Sequence, residues 1–213
     1  MNKKPTQRNL DKLRRREEIL DAAERIFSEV GIGNCTMDQV AKAAGISRPL
    51  LYVYFKDRSQ LQLGVGVRAL QQLLTLFKAA SDSEKLGLRK VMAIGQAYVD
   101  FARQEPFRFS VLSMCEAQGV VQPSDSDLEQ TMLQLGALVH QQTALALVCG
   151  VNDGSIRANL GDLDMVSRSL WALTHGTIQL AQSKPAIIEA SGGSLQSFFQ
   201  CSMEMALHSL MSR

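Results

Sequence analysis

The feature that most constrains this chain is a pair of closely spaced helix starts between residues 36 and 55. Thr36 is followed three residues later by a glutamine, the pattern of a capping box at the start of a helix. Gly45 follows and allows the backbone to reverse direction. Ser47 can cap a second helix, and Pro49 falls in its first turn, where a missing N–H costs nothing. The pattern predicts two short helices joined by a tight turn.

Elsewhere, apolar residues recur at helical spacing and strand-like alternation is nearly absent, so the sequence predicts an all-α protein. The first helix is expected to bury a stripe that extends from Leu13 to Val30 and to end at Gly31. No apolar run is judged long enough to span a bilayer. The predicted helices cover residues 10–30, 37–44, 48–55, 58–80, 84–104, 106–117, 125–149, 163–182 and 195–211.

Two short helices joined by a glycine-containing turn are the geometry that places a second helix in the major groove of DNA. In the second helix Leu51 and Phe55 are four residues apart and are expected to face inward. The remaining side chains then face outward and offer hydroxyls and one guanidinium to phosphates and base edges. These outward residues are Ser47, Arg48, Leu50, Tyr52 and Tyr54.

A longer set of residues around this motif resembles the N-terminal signature of the TetR (tetracycline-repressor-like) family of transcriptional regulators. The matching positions are Ile19, Leu20, Asp21, Ala22, Ala23, Phe27, Gly31, Thr36, Met37, Val40, Ala41, Ala44, Gly45, Ile46, Ser47, Leu51, Tyr52, Tyr54, Phe55 and Leu61. The resemblance implies an N-terminal three-helix DNA-binding domain with a helix-turn-helix over residues 1–60. A larger helical ligand-sensing and dimerisation domain would cover residues 61–213, with the boundary inside the long helix that starts at Arg58.

By the same resemblance, the protein would bind a palindromic double-stranded DNA operator. Thr36 and Tyr52 would contact phosphates, and Arg48 would read a base, since arginine on guanine is the commonest specific contact. Lys56 and Arg58 would hold the DNA backbone near the start of a helix. The full predicted DNA-binding set is Thr36, Ser47, Arg48, Pro49, Leu50, Tyr52, Tyr54, Lys56 and Arg58.

The reading surface departs from the usual family pattern at Pro49, Leu50 and Val53, which are apolar in this chain. Apolar side chains there favour contacts with thymine methyl groups over base hydrogen bonds. Charge is also uneven, because residues 1–60 hold twelve Lys and Arg against eight Asp and Glu. The basic segment 3–16 can enter a minor groove or remain solvated, and both readings stay open.

The larger domain shows no catalytic constellation and no metal-ligand spacing, and it is not interpreted as an enzyme. The four cysteines are widely separated and imply neither a metal site nor a disulfide framework, which suits a reduced cytoplasmic setting. Residues 64–69 match a GxGxxA dinucleotide pattern, but they lie inside a predicted helix and follow no strand, so no cofactor is predicted. A close helix crossing, a weak helix or a bend during regulation are the remaining meanings of Gly64 and Gly66.

Residues 98–102, 106–109 and 171–176 resemble the C-terminal ligand-sensing type named for its Trp, His and Gly. That resemblance implies a homodimer formed through the last two helices and an apolar pocket for a small-molecule effector. Candidate pocket residues are Met92, Tyr98, Phe101, Phe109, Met114, Cys115, Met132, Leu135, Trp171 and His175. His175 is also open to a purely structural hydrogen-bonding role.

The sequence thus favours a cytoplasmic, homodimeric repressor released from its operator by a small apolar or amphipathic ligand. An activator or a ligand-independent regulator of the same fold is the nearest alternative. An enzyme using the apolar cavity and a membrane-surface protein using the basic segment are remote alternatives. The first lacks an acid–base cluster, and the second lacks an amphipathic apolar-basic helix.

Overall fold

A computed structural model describes residues 6–118, 127–190 and 192–212. Within these residues the chain is helical, and its only β pairing is an isolated bridge between Ile156 and Met211. The all-α prediction is therefore confirmed. The helices are α1 (Gln7–Val30), α2 (Met37–Ala43), α3 (Arg48–Tyr54), α4 (Arg58–Asp82), α5 (Gly87–Gln104), α6 (Pro106–Gln118), α7 (Asp127–Asp153), α8 (Leu163–Ser183), α9 (Pro185–Ala190) and α10 (Leu195–Leu210).

The chain divides into two compact units that do not follow a single cut in the sequence. The first unit, here called the reading unit, combines residues 1–69 with residues 110–132. The second, here called the cavity unit, combines residues 70–109 with residues 133–213. The predicted domains, residues 1–60 and residues 61–213, stay predictions.

In the reading unit, α1 starts at Gln7 because the Thr6 side chain accepts a hydrogen bond from the Asn9 N–H at 3.4 Å. The helix ends at Gly31, whose φ of +80° favours glycine. Ile19, Leu20 and Phe27 are buried, as the periodicity predicts, but Leu13 is 55% exposed. The expectation that Leu13 belongs to the buried stripe is wrong. Helical spacing shows which face of α1 is apolar, but it does not show how far along that face the neighbouring helices cover it.

The two glycines of the GxGxxA pattern lie at close helix contacts inside the reading unit. A Cβ on Gly64 would lie 2.7 Å from Leu20 Cδ2, and one on Gly66 would lie 3.2 Å from both Cys115 Sγ and Met132 Cε. Side chains on neighbouring helices therefore occupy the space that a larger residue would need. This geometry favours the close-crossing interpretation of the motif.

Ion pairs also connect α1 to α4 within the reading unit. Arg68 donates hydrogen bonds to Glu17 at 2.8 Å, to Asp21 at 2.7 Å and to Glu24 at 3.1 Å. The Arg68 side chain is only 17% exposed, so this network is better shielded from solvent than an ordinary surface ion pair. It fixes the first helix against the helix that follows the helix-turn-helix.

In the cavity unit, α5 begins at Gly87 and not at Glu84, as expected from sequence. The N-cap residue Leu86, which precedes α5, provides no side-chain cap. The Asp153 carboxylate caps the helix instead, because it accepts a hydrogen bond from the Gly87 N–H at 2.7 Å. Hydrogen bonds from Ser155 and from the Gly87 N–H hold the pKa of Asp153 below its usual range. The start of α5 is therefore set by a contact with the end of α7.

Two features of the C-terminal half differ from expectation. The short helix α9 was missed, although Pro185 stands at its first position, where proline is favoured. Helix α7 is apolar and long enough, by length and composition alone, to cross a bilayer. The expectation that no such run exists was wrong, but a helix in the core of a folded domain passes the same test.

Residues 3–5 of the basic segment and residue 125, the first residue of the predicted helix 125–149, lie outside the described residues.

Candidate nucleic-acid interface and ligand cavity

The helix-turn-helix forms as the local signals predict. Thr36 makes both hydrogen bonds of a capping box with Gln39, and α2 follows. Gly45 adopts a φ of +65°, and the Ile46 N–H donates to the Ala41 carbonyl at 3.0 Å, which closes the turn. Ser47 then caps α3 by accepting a hydrogen bond from the Leu50 N–H at 3.4 Å. The turn therefore has the tight geometry that a groove-reading helix requires.

Helix α3 has one buried face and one exposed face. Leu51 and Phe55 are 0% and 1% exposed, and they anchor the helix in the reading unit. Val53, at 72%, is the most exposed large apolar residue of this segment, and Leu50 and Tyr52 are about two-fifths exposed. The outward face is thus largely apolar, as the sequence indicates.

Arg48 is the main charged group on that face, and it is held in place. Its Nη1 lies 3.1 Å from Asp38 Oδ2, and its Nη2 donates to the Tyr52 hydroxyl at 3.4 Å. Its guanidinium carbon also lies 5.6 Å from the centre of the Tyr52 ring. The Tyr52 hydrogen bond, with help from the Asp38 charge, holds the pKa of Arg48 above its usual range. Asp38 was missed from sequence, although its place in the first turn of α2, beside the start of α3, is the signal that could have identified it.

The other predicted DNA contacts fall into two groups. Ser47, Pro49, Leu50, Tyr52 and Lys56 are exposed, and Tyr54 is half-buried. Thr36 is exposed too, but its hydroxyl already donates to Gln39 Oε1 at 2.9 Å. A phosphate contact by that hydroxyl requires it to turn away from the capping box.

Arg58 has a second role inside the reading unit. Its Nη1 donates to the Gly33 carbonyl, and it reaches the Cys35 carbonyl at 3.4 Å. These carbonyls belong to the loop between α1 and α2. Burial raises the pKa of the Cys35 thiol, and the Arg58 charge opposes that rise. Arg58 therefore ties the start of α4 to the loop before the helix-turn-helix, with further donors on its guanidinium.

The cavity unit contains a partly open cavity of about 50 Å³, and roughly 10–15 Å³ by the same measure holds one water molecule. It is therefore narrow, and a larger molecule needs the lining to move. The lining is mostly apolar and comes from α4, α5, α7, α8 and α10. It comprises Leu73, Phe77, Val91, Met92, Ile94, Gly95, Tyr98, Val139, His140, Thr143, Leu170, Trp171, Thr174, Met203, Ala206, Leu207 and Leu210.

Three of the ten predicted pocket residues, Met92, Tyr98 and Trp171, line this cavity. Two others pack beside it, since His175 lies 5.4 Å from Trp171 and Phe109 lies 5.8 Å from Tyr98, measured between ring centres. The remaining residues do not line it. Phe101 is buried elsewhere in the cavity unit, Leu135 is half-buried, and Met114, Cys115 and Met132 belong to the reading unit.

His175 accepts or donates a hydrogen bond with the Tyr98 hydroxyl through Nδ1 at 2.7 Å. Burial lowers the pKa of His175, which favours the neutral form of its ring. The arrangement gives His175 a structural use within an aromatic cluster of Tyr98, Phe109 and Trp171. Sequence reasoning missed His140 and Thr143, whose spacing of three residues on α7 was the available signal.

Within residues 6–118, 127–190 and 192–212, no group of three or more His, Cys, Asp or Glu side chains comes together as a metal site would require. The cysteines within them, Cys35, Cys115, Cys149 and Cys201, are free thiols.

Similar proteins have related sequences and the same fold. The chain is 38% identical over 72 residues to HTH-type transcriptional regulator SAB2452 of Staphylococcus aureus, covering 34% of this chain and 39% of that protein. It is 30% identical over 91 residues to HTH-type transcriptional activator FasR of Mycolicibacterium smegmatis, covering 43% and 42%. The matches thus span about two-fifths of these curated relatives.

Two solved structures of named regulators share the fold over most of their length. FadR of Bacillus subtilis, in complex with stearoyl-CoA, aligns with a TM-score of 0.67 at 16% identity, covering 91% of this chain and 98% of that one. SmeT in complex with triclosan aligns with a TM-score of 0.66 at 21% identity, covering 93% and 92%.

Two family models match the chain. "Bacterial regulatory proteins, tetR family" matches residues 19–65, which include the helix-turn-helix. "Tetracyclin repressor-like, C-terminal domain" matches residues 91–204, more than half of the chain. The finer resemblance to the Trp-His-Gly type stays a prediction. The capped helix-turn-helix, its exposed reading helix and these matches together show that the protein belongs to the TetR family of DNA-binding, non-enzymatic transcriptional regulators.

Proposed function

We propose that this protein is a cytoplasmic, homodimeric repressor that binds a palindromic operator and leaves it when a small apolar or amphipathic effector enters the cavity unit. The effector part of the proposal rests on the mostly apolar cavity between five helices. Such a cavity with a few polar groups is the usual form of a small-molecule site. FadR and SmeT, which share the fold, were solved with stearoyl-CoA and triclosan respectively.

The surface of α8 and α10 supports the homodimer. Met165 and Leu180 on α8 are 60% and 46% exposed, and Met205 on α10 is 62% exposed. On α8, Gly176 has no atom within 4 Å of where its Cβ would stand, so a second helix can approach closely there. Exposed apolar side chains and a small residue on neighbouring helices suit a four-helix interface with a second copy of the chain.

In the proposed mechanism, residues 1–60 bind DNA, and residues 61–213 sense the effector and dimerise. A dimer reads two half-sites about 34–36 Å apart, one helical turn of DNA. An effector that binds better to a differently spaced form of the dimer shifts the population away from the DNA-binding form. Since the cavity is narrow, binding requires its lining to move, and the part of that movement that reaches the lining helices is the source of the shift.

One observation favours a second candidate function, an activator. FasR, which is 30% identical over 91 residues, is named a transcriptional activator. The reading surface would serve both modes equally, because repression and activation differ in where the operator lies relative to a promoter. In vitro transcription from the operator-bearing promoter separates them: the repressor lowers transcript yield, and the activator raises it.

The DNA-binding proposal is tested by fluorescence anisotropy, using the palindrome nearest the gene of this protein and a scrambled duplex. We expect a preference for the palindrome, with an affinity that falls steeply as salt rises. Arg48→Ala should reduce operator affinity by roughly 5- to 150-fold per half-site while changing scrambled-DNA affinity much less. Equal binding of wild-type protein to both duplexes would contradict specific regulation.

Asp38 supplies a sharper test, because it is the carboxylate that positions Arg48. Asp38→Asn removes a negative charge from the DNA-facing side, so binding to scrambled DNA should strengthen. It also frees the Arg48 guanidinium, so the ratio of operator to scrambled affinity should fall. In an Arg48→Ala background the same substitution should no longer change the ratio. A ratio that still changes there would show that Asp38 acts independently of Arg48.

A further inference from the structure

We propose that the cavity takes a neutral, largely apolar molecule with one hydroxyl or carbonyl group, and that His140 and Thr143 on α7 recognise that group. The inference rests on the proposed function, since it takes the cavity to be the effector site. It adds the chemical class of the effector and the residues that select it.

Hydrogen-bond partners distinguish the four side chains of the cavity lining that carry a hydroxyl or an imidazole. The Tyr98 hydroxyl is bound to His175, and the Thr174 hydroxyl donates to the Leu170 carbonyl at 2.9 Å. The His140 ring and the Thr143 hydroxyl make no hydrogen bond to any part of the chain that the structure describes. Both residues are half-buried, so these two polar groups are available to a bound molecule or to water.

His140 and Thr143 lie three residues apart on α7, so they project from the same helix face into the cavity. The His140 ring is set edge-on against Trp171, with 5.1 Å between ring centres and an interplanar angle of 89°. That packing limits the orientations that the imidazole can adopt. The two side chains thus form one polar position in an otherwise apolar space.

The charge of the cavity selects against ionic ligands. No Lys, Arg, Asp or Glu occurs among the seventeen lining residues, all of which the structure describes. Burial lowers the pKa of His140, and the nearby Arg168 lowers it further, so the ring is neutral near pH 7 and offers one donor and one acceptor. Arg168 itself is exposed and does not line the cavity. A carboxylate or ammonium group would therefore be buried without a counter-charge, at a high cost.

The cavity can enlarge around such a molecule. Met92 and Met203 are part of the lining, and Met203 Cε would lie 2.8 Å from a Cβ on Gly95, so its thioether fills the space beside that glycine. Methionine side chains are unbranched and adjust readily to a ligand. Their movement provides room for an apolar chain while the polar position on α7 stays fixed.

Trp171 makes the proposal measurable, because it is the only tryptophan in the chain and it lines the cavity. Its fluorescence is titrated with 1-decanol, decanoate and decylammonium at pH 7.5, each below its micelle concentration. These probes share an alkyl chain and differ only in the head group. We expect decanol to bind at least tenfold more tightly than either ion, and to release the operator in parallel.

The variants Thr143→Val and His140→Leu then test whether these two side chains bind the hydroxyl group of decanol. Each should weaken decanol binding by about tenfold and leave the weak binding of the two ions nearly unchanged. Thr143→Val keeps the side-chain shape, so it provides the test even if His140→Leu folds poorly. Thr75→Val is the matched control, since Thr75 is exposed on α4 and does not line the cavity; its decanol affinity should equal that of the wild type.

Three results would overturn the inference. Decanoate or decylammonium binding as tightly as decanol would exclude a neutral-ligand site, while leaving the cavity as the effector site. An equal loss for all three probes in Thr143→Val would mean that the residue acts by shape and not by hydrogen bonding. If none of the probes binds or releases the operator, the effector site in the proposed function fails as well.

Discussion

Gly87→Ala should destabilise the cavity unit because backbone atoms occupy the space that the new methyl group needs. A Cβ on Gly87 would lie 1.9 Å from the Gly150 nitrogen, 2.2 Å from the Gly150 Cα and 2.7 Å from the Ala146 carbonyl oxygen. Non-bonded carbon contacts are most favourable at about 3.5–4.0 Å. Helices α5 and α7 must therefore separate by roughly 1.5 Å where they cross, since no side chain can rotate out of the way.

The expected size of the effect follows from this geometry. Overpacking usually lowers the free energy of unfolding by about 1–3 kcal/mol. All three atoms that the new Cβ would meet belong to the backbone, so the cost should lie near the upper end of that range. Alanine recovers at most about 1 kcal/mol through helix propensity, and less at the first residue of α5. The net loss of about 2–3 kcal/mol corresponds to a decrease in Tm of roughly 4–12 °C for a chain of this length. The hydrogen bond from the Gly87 N–H to Asp153 should also weaken.

Thermal unfolding followed by far-UV circular dichroism measures the effect, at one fixed protein concentration because association changes apparent stability. Gly136→Ala is the matched control, since Gly136 lies inside α7 and has no atom within 4 Å of where its Cβ would stand. This control should raise the Tm by up to about 4 °C. A Gly87→Ala protein that melts at or above the wild-type temperature would refute the reasoning.

The remaining predictions concern the dimer and the reading unit. Leu173→Glu combined with Leu180→Glu places charges on exposed positions of α8, where the dimer interface is proposed. Sedimentation should then show a monomer, and circular dichroism should show an unchanged helix content. A persistent dimer would mean that the interface lies elsewhere. Arg58→Ala should weaken binding to operator and scrambled DNA alike. It should also lower the Tm, because the Gly33 and Cys35 carbonyls lose their hydrogen-bond donor. An unchanged Tm would exclude this structural role of Arg58. Arg68→Met should lower the Tm by several degrees at low salt and by less at high salt, because salt screens the attraction between Arg68 and its three carboxylate partners. Equal losses at both salt concentrations would contradict an ionic contribution.

The helix-turn-helix was largely predictable because its determinants are local. The Thr36 capping box, the turn at Gly45 and the Ser47 cap each depend on contacts within about five residues, and each forms as expected. The burial of Leu51 and Phe55 follows from helical spacing alone. Asp38 escaped notice because its contact with Arg48 joins two helices, and helical periodicity carries no information on which side chains meet across a turn.

The cavity was predicted less well because it depends on which helices meet. Its lining comes from residues that lie between 73 and 210, and the polarity of a residue does not say which helix it will face. Met92, Tyr98 and Trp171 line the cavity, whereas Met114, Cys115 and Met132 resemble them in character and belong to the reading unit. The approach of Gly87 to Gly150 is similarly invisible in sequence, since a glycine signals either flexibility or close packing.

This contrast bears on how far family membership can identify the effector. An apolar lining needs only suitable size and shape, so many substitutions preserve the fold while changing the space inside it. Two of the structures that share this fold, FadR and SmeT, are 16% and 21% identical to the chain, and they were solved with ligands as different as stearoyl-CoA and triclosan. Selectivity must then depend on the few polar positions, because a ligand that leaves a buried hydrogen-bonding group unpaired is rejected far more strongly than one that differs by a methylene. In this chain the proposed positions are His140 and Thr143, and on that proposal they define the effector more narrowly than the fold does.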